Sequence, residues 1–344
     1  MLSTVIATIF VFGLLVLFHE LGHFITAKWV GMRVDEFAIG FGPKLISRKV
    51  GETVYSIRII PLGGFNKIAG MDPDEEKDER SFSAKSIWAR MLVIVAGSVM
   101  NFVLPVILLF IVFMSAGIDT PSNQPMIGTV FPNKPAAAAG LLPGDHITAV
   151  NGVPIDSWRQ FVSVIQINAG NKLNITYSRG TETGKTAILT PEYDEKGKRG
   201  VIGVTPQIDT YQPGVLESVG LAAKHTFTVA QSMLIGIGEM ITGKAAADVA
   251  GPIGVAQMAG EVAQLGIIPL LQFAAFLSIN LGLINLLPVP VLDGGHVVTL
   301  AVEGLRGKPL DRNQMQFIQI IGFALLMLLL VVATFKDISR LKLF

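Results

Sequence analysis

Val11-Phe-Gly-Leu-Leu-Val-Leu-Phe18 runs without a break into His19-Glu20-Leu21-Gly22-His23 and on into Phe24 and Ile25. From Met1 to Phe18 there is no charged side chain, and about 20 such residues cross the ~30 Å hydrocarbon core of a bilayer as a helix. The stretch lacks the basic start and small-residue cleavage site of a signal peptide, so it reads as a retained span. Three ionisable groups directly after an apolar run are costly unless they serve a site. His19 and His23, four apart, share one helix face, so both imidazoles can reach one metal ion, and Glu20 beside them can orient and deprotonate a bound water. Zinc lowers the pKa of such a water to about 7 and polarises a carbonyl, which permits amide hydrolysis at neutral pH.

Composition agrees with a membrane protein. Of 344 residues, 51% are hydrophobic and 15% charged, against about 25% charged in a soluble chain. With 27 Lys+Arg against 26 Asp+Glu there is no basic excess for phosphates, so nucleic acid is not an expected partner. The absence of cysteine excludes a disulfide scaffold and a thiolate-ligated metal.

Three further uncharged runs have spanning length: Met91 to Ile118, Val262 to Leu292 and Asn313 to Phe335. Thr226 to Gly238 is too short to cross and reads as an interfacial helix. Lys28 to Arg90 holds 11 Lys/Arg in 63 residues and Asp119 to Glu261 holds 10 in 143. The denser loop is therefore expected in the cytoplasm and the longer segment outside. Lys336, Arg340 and Lys342 after the last run argue mildly the other way.

The expected organisation is a first span over 1–27, a cytoplasmic loop over 28–90 and a second span over 91–118. An inserted α+β domain over 119–207 follows, then an amphipathic linker over 208–261, a third span over 262–303, and a loop with the fourth span over 304–344. In the first loop, Glu52-Thr-Val-Tyr-Ser-Ile-Arg-Ile-Ile60 alternates like a strand and ends at the turn Pro61-Leu-Gly-Gly64. The earlier part, Phe37-Ala-Ile-Gly-Phe-Gly-Pro43, is apolar and glycine-rich, which suits a β-hairpin dipping into the membrane under the shelter of the helices. Val54 to Ile60 is the expected strand edge for an extended substrate. Asp72 to Arg80 reads as a solvated charge run.

Two histidines and a water leave catalytic zinc one ligand short. Asp293 ends the third run in the context Asn285-Leu-Leu-Pro-Val-Pro-Val-Leu-Asp-Gly-Gly-His296. Pro288 and Pro290 cannot continue a helix, so the chain should unwind just before Asp293 and free its carboxylate. The alternative is that Asp293 caps the following helix. Asn101, deep in the second run, needs a partner there, either substrate or a neighbouring helix approached through Gly97.

These motifs together resemble the bacterial site-2 proteases, zinc metalloproteases that cleave within the membrane. The likeness rests on His19 to His23, on Ala139-Gly-Leu-Leu-Pro-Gly-Asp-His-Ile-Thr-Ala-Val-Asn-Gly152 as a PDZ signature, and on Asn285 to Gly294. Pro61-Leu-Gly-Gly-Phe65 looks like the re-entrant hairpin of that family, and Phe335-Lys-Asp-Ile-Ser-Arg340 like its usual C-terminal end. The resemblance implies zinc ligands His19, His23 and Asp293, the general base Glu20, and substrate contacts by Asn285, Pro288, Asn101, Gly63 and Gly64. It implies single-pass membrane substrates trimmed beforehand, such as anti-sigma factors or signal-peptide remnants, a multi-pass protein of the bacterial inner membrane surrounded by its lipid, and a PDZ domain facing outward. A PDZ scaffold without catalysis, or a membrane-anchored zinc protease cutting in water, are the competing readings.

Overall fold

A computed structural model describes residues 2–71, 78–195, 197–244 and 250–340. They form two compact units, one of Met1–Ala116 with Gly214–Phe344 and one of Gly117–Pro213. In chain order the first unit opens with α1 (Leu2–Trp29), β1 (Val34–Val50), β2 (Thr53–Ile68) and α2 (Ile87–Ala116). The second unit holds β3 (Ile118–Pro121), β4 (Ile127–Val130), α3 (Pro135–Ala138), β5 (His146–Val150), β6 (Val153–Pro154), α4 (Trp158–Ile167), β7 (Leu173–Arg179), β8 (Glu182–Leu189), β9 (Glu192–Asp194), β10 (Arg199–Val201), β11 (Val204–Pro206) and β12 (Ile208–Tyr211). The chain then returns to the first unit as α5 (Val215–Ile241), α6 (Pro252–Gln264), α7 (Ile267–Asn285), α8 (Asp293–Arg306) and α9 (Arg312–Arg340).

Among the described residues four helices are long and apolar enough to cross a membrane: α1, α2, α7 and α9. α2 is central to the first unit and packs against α1, α5, α7 and α8. Glycines permit the close approaches. A Cβ on Gly22 of α1 would lie 2.2 Å from the Ala96 carbonyl oxygen of α2, and one on Gly282 of α7 would lie 3.2 Å from the Asn101 Cβ. Pro105 interrupts the ladder of α2. It has no N–H for the carbonyl of Asn101, and the buried Ser278 hydroxyl of α7 donates to that oxygen instead, at 2.9 Å.

Two expectations are corrected here, and a third is extended. The uncharged run 262–292 is not one helix, because Gly266 adopts φ 119°, a left-handed conformation that breaks α6 from α7. The run 226–238 is, as expected, helical, the middle of the 27-residue α5, which packs against α2 and α7 and is not among the helices apolar enough to cross a membrane. The strand edge expected at Val54 to Ile60 is covered over residues 54–57. Residues 54–57 face 36–39 on one side and 46–49 on the other, so the outer segments of the sheet are 44–50 and 64–68. The bends that double β1 and β2 back are made by Gly40 (φ 90°) and Gly63 (φ 128°). In the first case a Cβ would lie 2.6 Å from the Ile60 carbonyl oxygen.

The hairpin is tied to the end of α1 by polar contacts. Arg80 and Lys28 both donate to Glu52, and their hydrogen bonds hold its carboxyl down at about 2. Of the charge run Asp72 to Arg80, residues 72–77 lie outside the described residues.

The inserted unit is an α+β domain with its own core, which includes Ile127, Ile147, Phe161, Leu173 and Ile175. Its four-stranded sheet runs β6-β5-β7-β8. Helix α4 is capped by Ser157, whose hydroxyl accepts from the Gln160 N–H. β12 pairs with β3, Tyr211 opposite Ile118, which closes the domain end to end. The domain therefore runs to Pro213 rather than to 207.

Candidate metal centre

His19, Glu20 and His23 lie on α1, and the face shared by the two histidines is pressed against α2 at Gly97. A Cβ there would stand 2.2 Å from His23 Nε2 and 2.9 Å from His19 Cε1, so only glycine leaves room for both rings. The two Nε2 atoms are 3.2 Å apart. Asp293 arrives from the other direction. α7 ends at Asn285, residues 286–292 run without helix, and α8 starts at Asp293. Gly294 and Gly295 let this connection fold back, since a Cβ on either would come within 2.3 Å of the Leu287 or Val289 carbonyl oxygen. Val291 in the same loop holds φ 82°, a strained conformation for a β-branched residue.

Asp293 Oδ2 lies 3.6 Å from His19 Nε2, and Oδ1 lies 3.6 Å from His23 Nε2. One donor atom from each of the three residues falls within 4.8 Å of the others. Tetrahedral zinc with bonds of about 2.0–2.1 Å separates its ligand atoms by about 3.3 Å, so the donor set fits this ion. The capping alternative for Asp293 finds no support, because no side chain caps α8 at Leu292.

The surroundings orient the donors. His23 Nδ1 is 2.8 Å from the Val93 carbonyl oxygen; it must donate, which leaves the Nε2 lone pair for a metal. Ser98 Oγ donates to Asp293 Oδ2 at 3.0 Å. The Asn101 amide nitrogen stands 3.1 Å from His19 Nδ1, while its own oxygen is buried without a partner among the described residues. A half-turn of that amide puts Oδ1 on the Nδ1–H of a metal-ready His19 as an acceptor. Val93, Gly97, Ser98 and Asn101 thus form one stripe of α2 that serves all three donors.

The other expected site residues are distributed unevenly. The Asn285 amide nitrogen lies 3.4 Å from His19 Nδ1, so both asparagines sit at the same imidazole. Gly64 packs against Glu20, where a Cβ would stand 3.1 Å from its Cγ. Gly63 bends the strand, and a Cβ there would meet the Phe41 ring at 2.1 Å. Pro288 is exposed in the 286–292 loop. Sequence reasoning missed Ser98 and Asn66. Asn66 Nδ2 donates to both the main-chain oxygen and Oε2 of Glu20, each at 2.7 Å.

Depth follows from two indoles. Trp29 at the end of α1 is 78% exposed and Trp88 at the start of α2 is 81% exposed, the pattern of an aromatic belt at the membrane surface. His19 lies ten residues from Trp29, or about 15 Å along the helix, and His23 about 9 Å. Both histidines therefore lie within the length of α1 that is apolar enough to cross a membrane.

A model of peptidase family M50 matches residues 7–329. The zinc metalloprotease RasP of Bacillus licheniformis is 36% identical, with 99% of this chain and 100% of that protein covered. The regulator of sigma-W protease RasP of Bacillus subtilis is 36% identical over 98% of this chain and 99% of its own. A putative zinc metalloprotease of Clostridium acetobutylicum is 39% identical over 97% of each. Among solved structures, the PDZ domain of an SdrC-like protein from Listeria monocytogenes is 27% identical over 26% of this chain and 93% of that one, with a TM-score of 0.22.

Proposed function

Since the chain belongs to peptidase family M50 and is a zinc metalloprotease of the membrane, we propose that His19, His23 and Asp293 hold the zinc and that Glu20 is the general base. The observation that carries this is the convergence of three donors at zinc-like spacing, two of them on the span-length helix α1. Zinc bound there supplies an acidified water and polarises the scissile carbonyl.

The chain's own residues do the rest. Glu20 takes the proton of the attacking water and returns it to the leaving amide nitrogen. Ser98, the Val93 carbonyl and Asn101 hold the three ligands in the orientation described above. A substrate helix hides its amides in i→i+4 hydrogen bonds and must unwind before attack. The outer β2 segment at 64–68 lies against Glu20, and an extended substrate adding to it as a strand would present its carbonyls beside the base. Gly63 and Gly64 shape that edge, and Asn285 and Pro288, at the mouth of the α7–α8 connection, contact the substrate backbone.

The substrates in this reading are single-pass membrane proteins already trimmed outside, including anti-sigma factors, as the name of the Bacillus subtilis relative suggests, and signal-peptide remnants. The Lys/Arg asymmetry supports residues 28–90 in the cytoplasm, residues 117–213 outside, and the bacterial cytoplasmic membrane as the location. The test is mass spectrometry of membrane fragments that accumulate beside the wild type. They should vanish with Glu20→Gln while zinc stays bound, because the amide keeps the shape and cannot accept the proton; general-base roles are worth about 10²–10⁴-fold. Wild-type fragment levels with Glu20→Gln would remove Glu20 from the mechanism.

A further inference from the structure

We propose that Asn66 is the positioning residue of the general base, fixing the Glu20 carboxylate from the hairpin; the inference rests on the reading of Glu20 given above. The two hydrogens of one amide nitrogen are used on one residue, at 2.7 Å to its main-chain oxygen and 2.7 Å to Oε2. Because one of these acceptors belongs to the rigid backbone of α1, the bond to the other locks the side-chain torsions of Glu20 to the helix axis. The orientation of the amide is determined, since turning it over would set Oδ1 against two acceptors. Its Oδ1 is buried without a partner among the described residues, so the arrangement sacrifices one acceptor to keep both donors on Glu20.

The strand is built to bring this about. Side chains two apart on a strand share a face. At Gly64 the absence of a side chain lets that face come down on α1, where a Cβ would stand 3.1 Å from both Glu20 Cγ and Val16 Cγ1. Two residues further on, Asn66 then reaches the base. The 64–68 segment is at the same time an outer strand of the hairpin sheet, so the element placed to receive an extended substrate is also the one that aims Glu20. Without the clamp the glutamate keeps its chemistry but samples other rotamers, which lowers turnover and leaves substrate affinity and metal untouched.

The experiment uses the full chain in detergent with three variants, Asn66→Ala, the near-isosteric Asn66→Asp, and Glu20→Gln. Infrared difference spectra against Glu20→Gln isolate the Glu20 carboxylate stretch without any substrate. That band should shift in both Asn66 variants, and an unmoved band overturns the proposal. With a fluorescence-quenched Leu/Ala transmembrane peptide as probe, kcat should fall about ten- to a hundredfold in Asn66→Ala and at least as far in Asn66→Asp. KM should stay within twofold and zinc at the wild-type stoichiometry. Wild-type kcat in Asn66→Asp, or a kcat loss that merely follows zinc loss, overturns it as well. Should Glu20→Gln itself turn over the peptide at the wild-type rate, the base assignment fails, whereas the infrared shift still reports whether the clamp exists.

Discussion

Gly97→Ala adds one methyl group at the contact between α1 and α2, and its consequence for metal binding can be worked from distances. The new Cβ would stand 2.2 Å from His23 Nε2, 2.5 Å from His23 Cε1 and 2.9 Å from His19 Cε1. Ordinary contact begins near 3.4 Å, so the His23 ring must retreat by about 1.2 Å, while metal–ligand distances tolerate about 0.2 Å. Zinc affinity should fall by at least about a hundredfold, at the upper end of what perturbing a ligand's surroundings costs. Stability should change far less. Overpacking costs about 1–3 kcal/mol, and replacing a helical glycine by alanine returns up to about 1 kcal/mol. The assay is competition for zinc with a chromogenic chelator, run beside a thermal melt. Gly13→Ala is the control, because nothing lies within 4 Å of a Cβ there, and it should bind zinc as the wild type does. Zinc affinity within threefold of wild type in a folded Gly97→Ala protein would refute the proposed placement of the ion against α2.

Ser98→Ala removes the hydrogen bond to Asp293 without changing the helix face, so zinc affinity should drop about tenfold in the same chelator assay; an unchanged affinity would release Ser98 from this role. Excision of the inserted domain, residues 117–213, should leave zinc bound, because its ends meet at the β3–β12 pair, its core is its own, and it supplies none of the donors. If the domain restricts access, the excised protein should cleave untrimmed membrane proteins that the whole chain rejects, as read by immunoblot. Equal loss of cleavage on trimmed and untrimmed substrates would assign the domain to recruitment instead.

What the amino-acid sequence disclosed and what it withheld divide along a physical line. The pair His19 and His23 is legible because helix geometry turns a spacing of four into a shared face, and Asp293 because two prolines before it forbid a helix. Asn66, Gly97 and Ser98 act across tertiary contacts, where no local spacing announces the partner; Ala96-Gly97-Ser98 signalled only a close helix approach. The alternation at 52–60 correctly marks a strand, but which edge is outermost depends on β1 doubling back through Gly40, a global outcome. Similarly, the uncharged run 262–292 is apolar throughout, and composition cannot show that Gly266 takes φ 119°. α5 outran its uncharged centre because packing against α2 and α7, rather than hydrophobicity alone, sets its length.

The central claim is that Asp293 completes a zinc site with His19 and His23 inside the membrane. The zinc content of purified full-length Asp293→Ala protein tests it most directly, measured by atomic emission after dialysis against a mild chelator. The account predicts one zinc per wild-type chain and almost none in the variant, since two imidazoles alone leave catalytic zinc one protein ligand short. An Asp293→Ala protein that keeps one zinc per chain would contradict it.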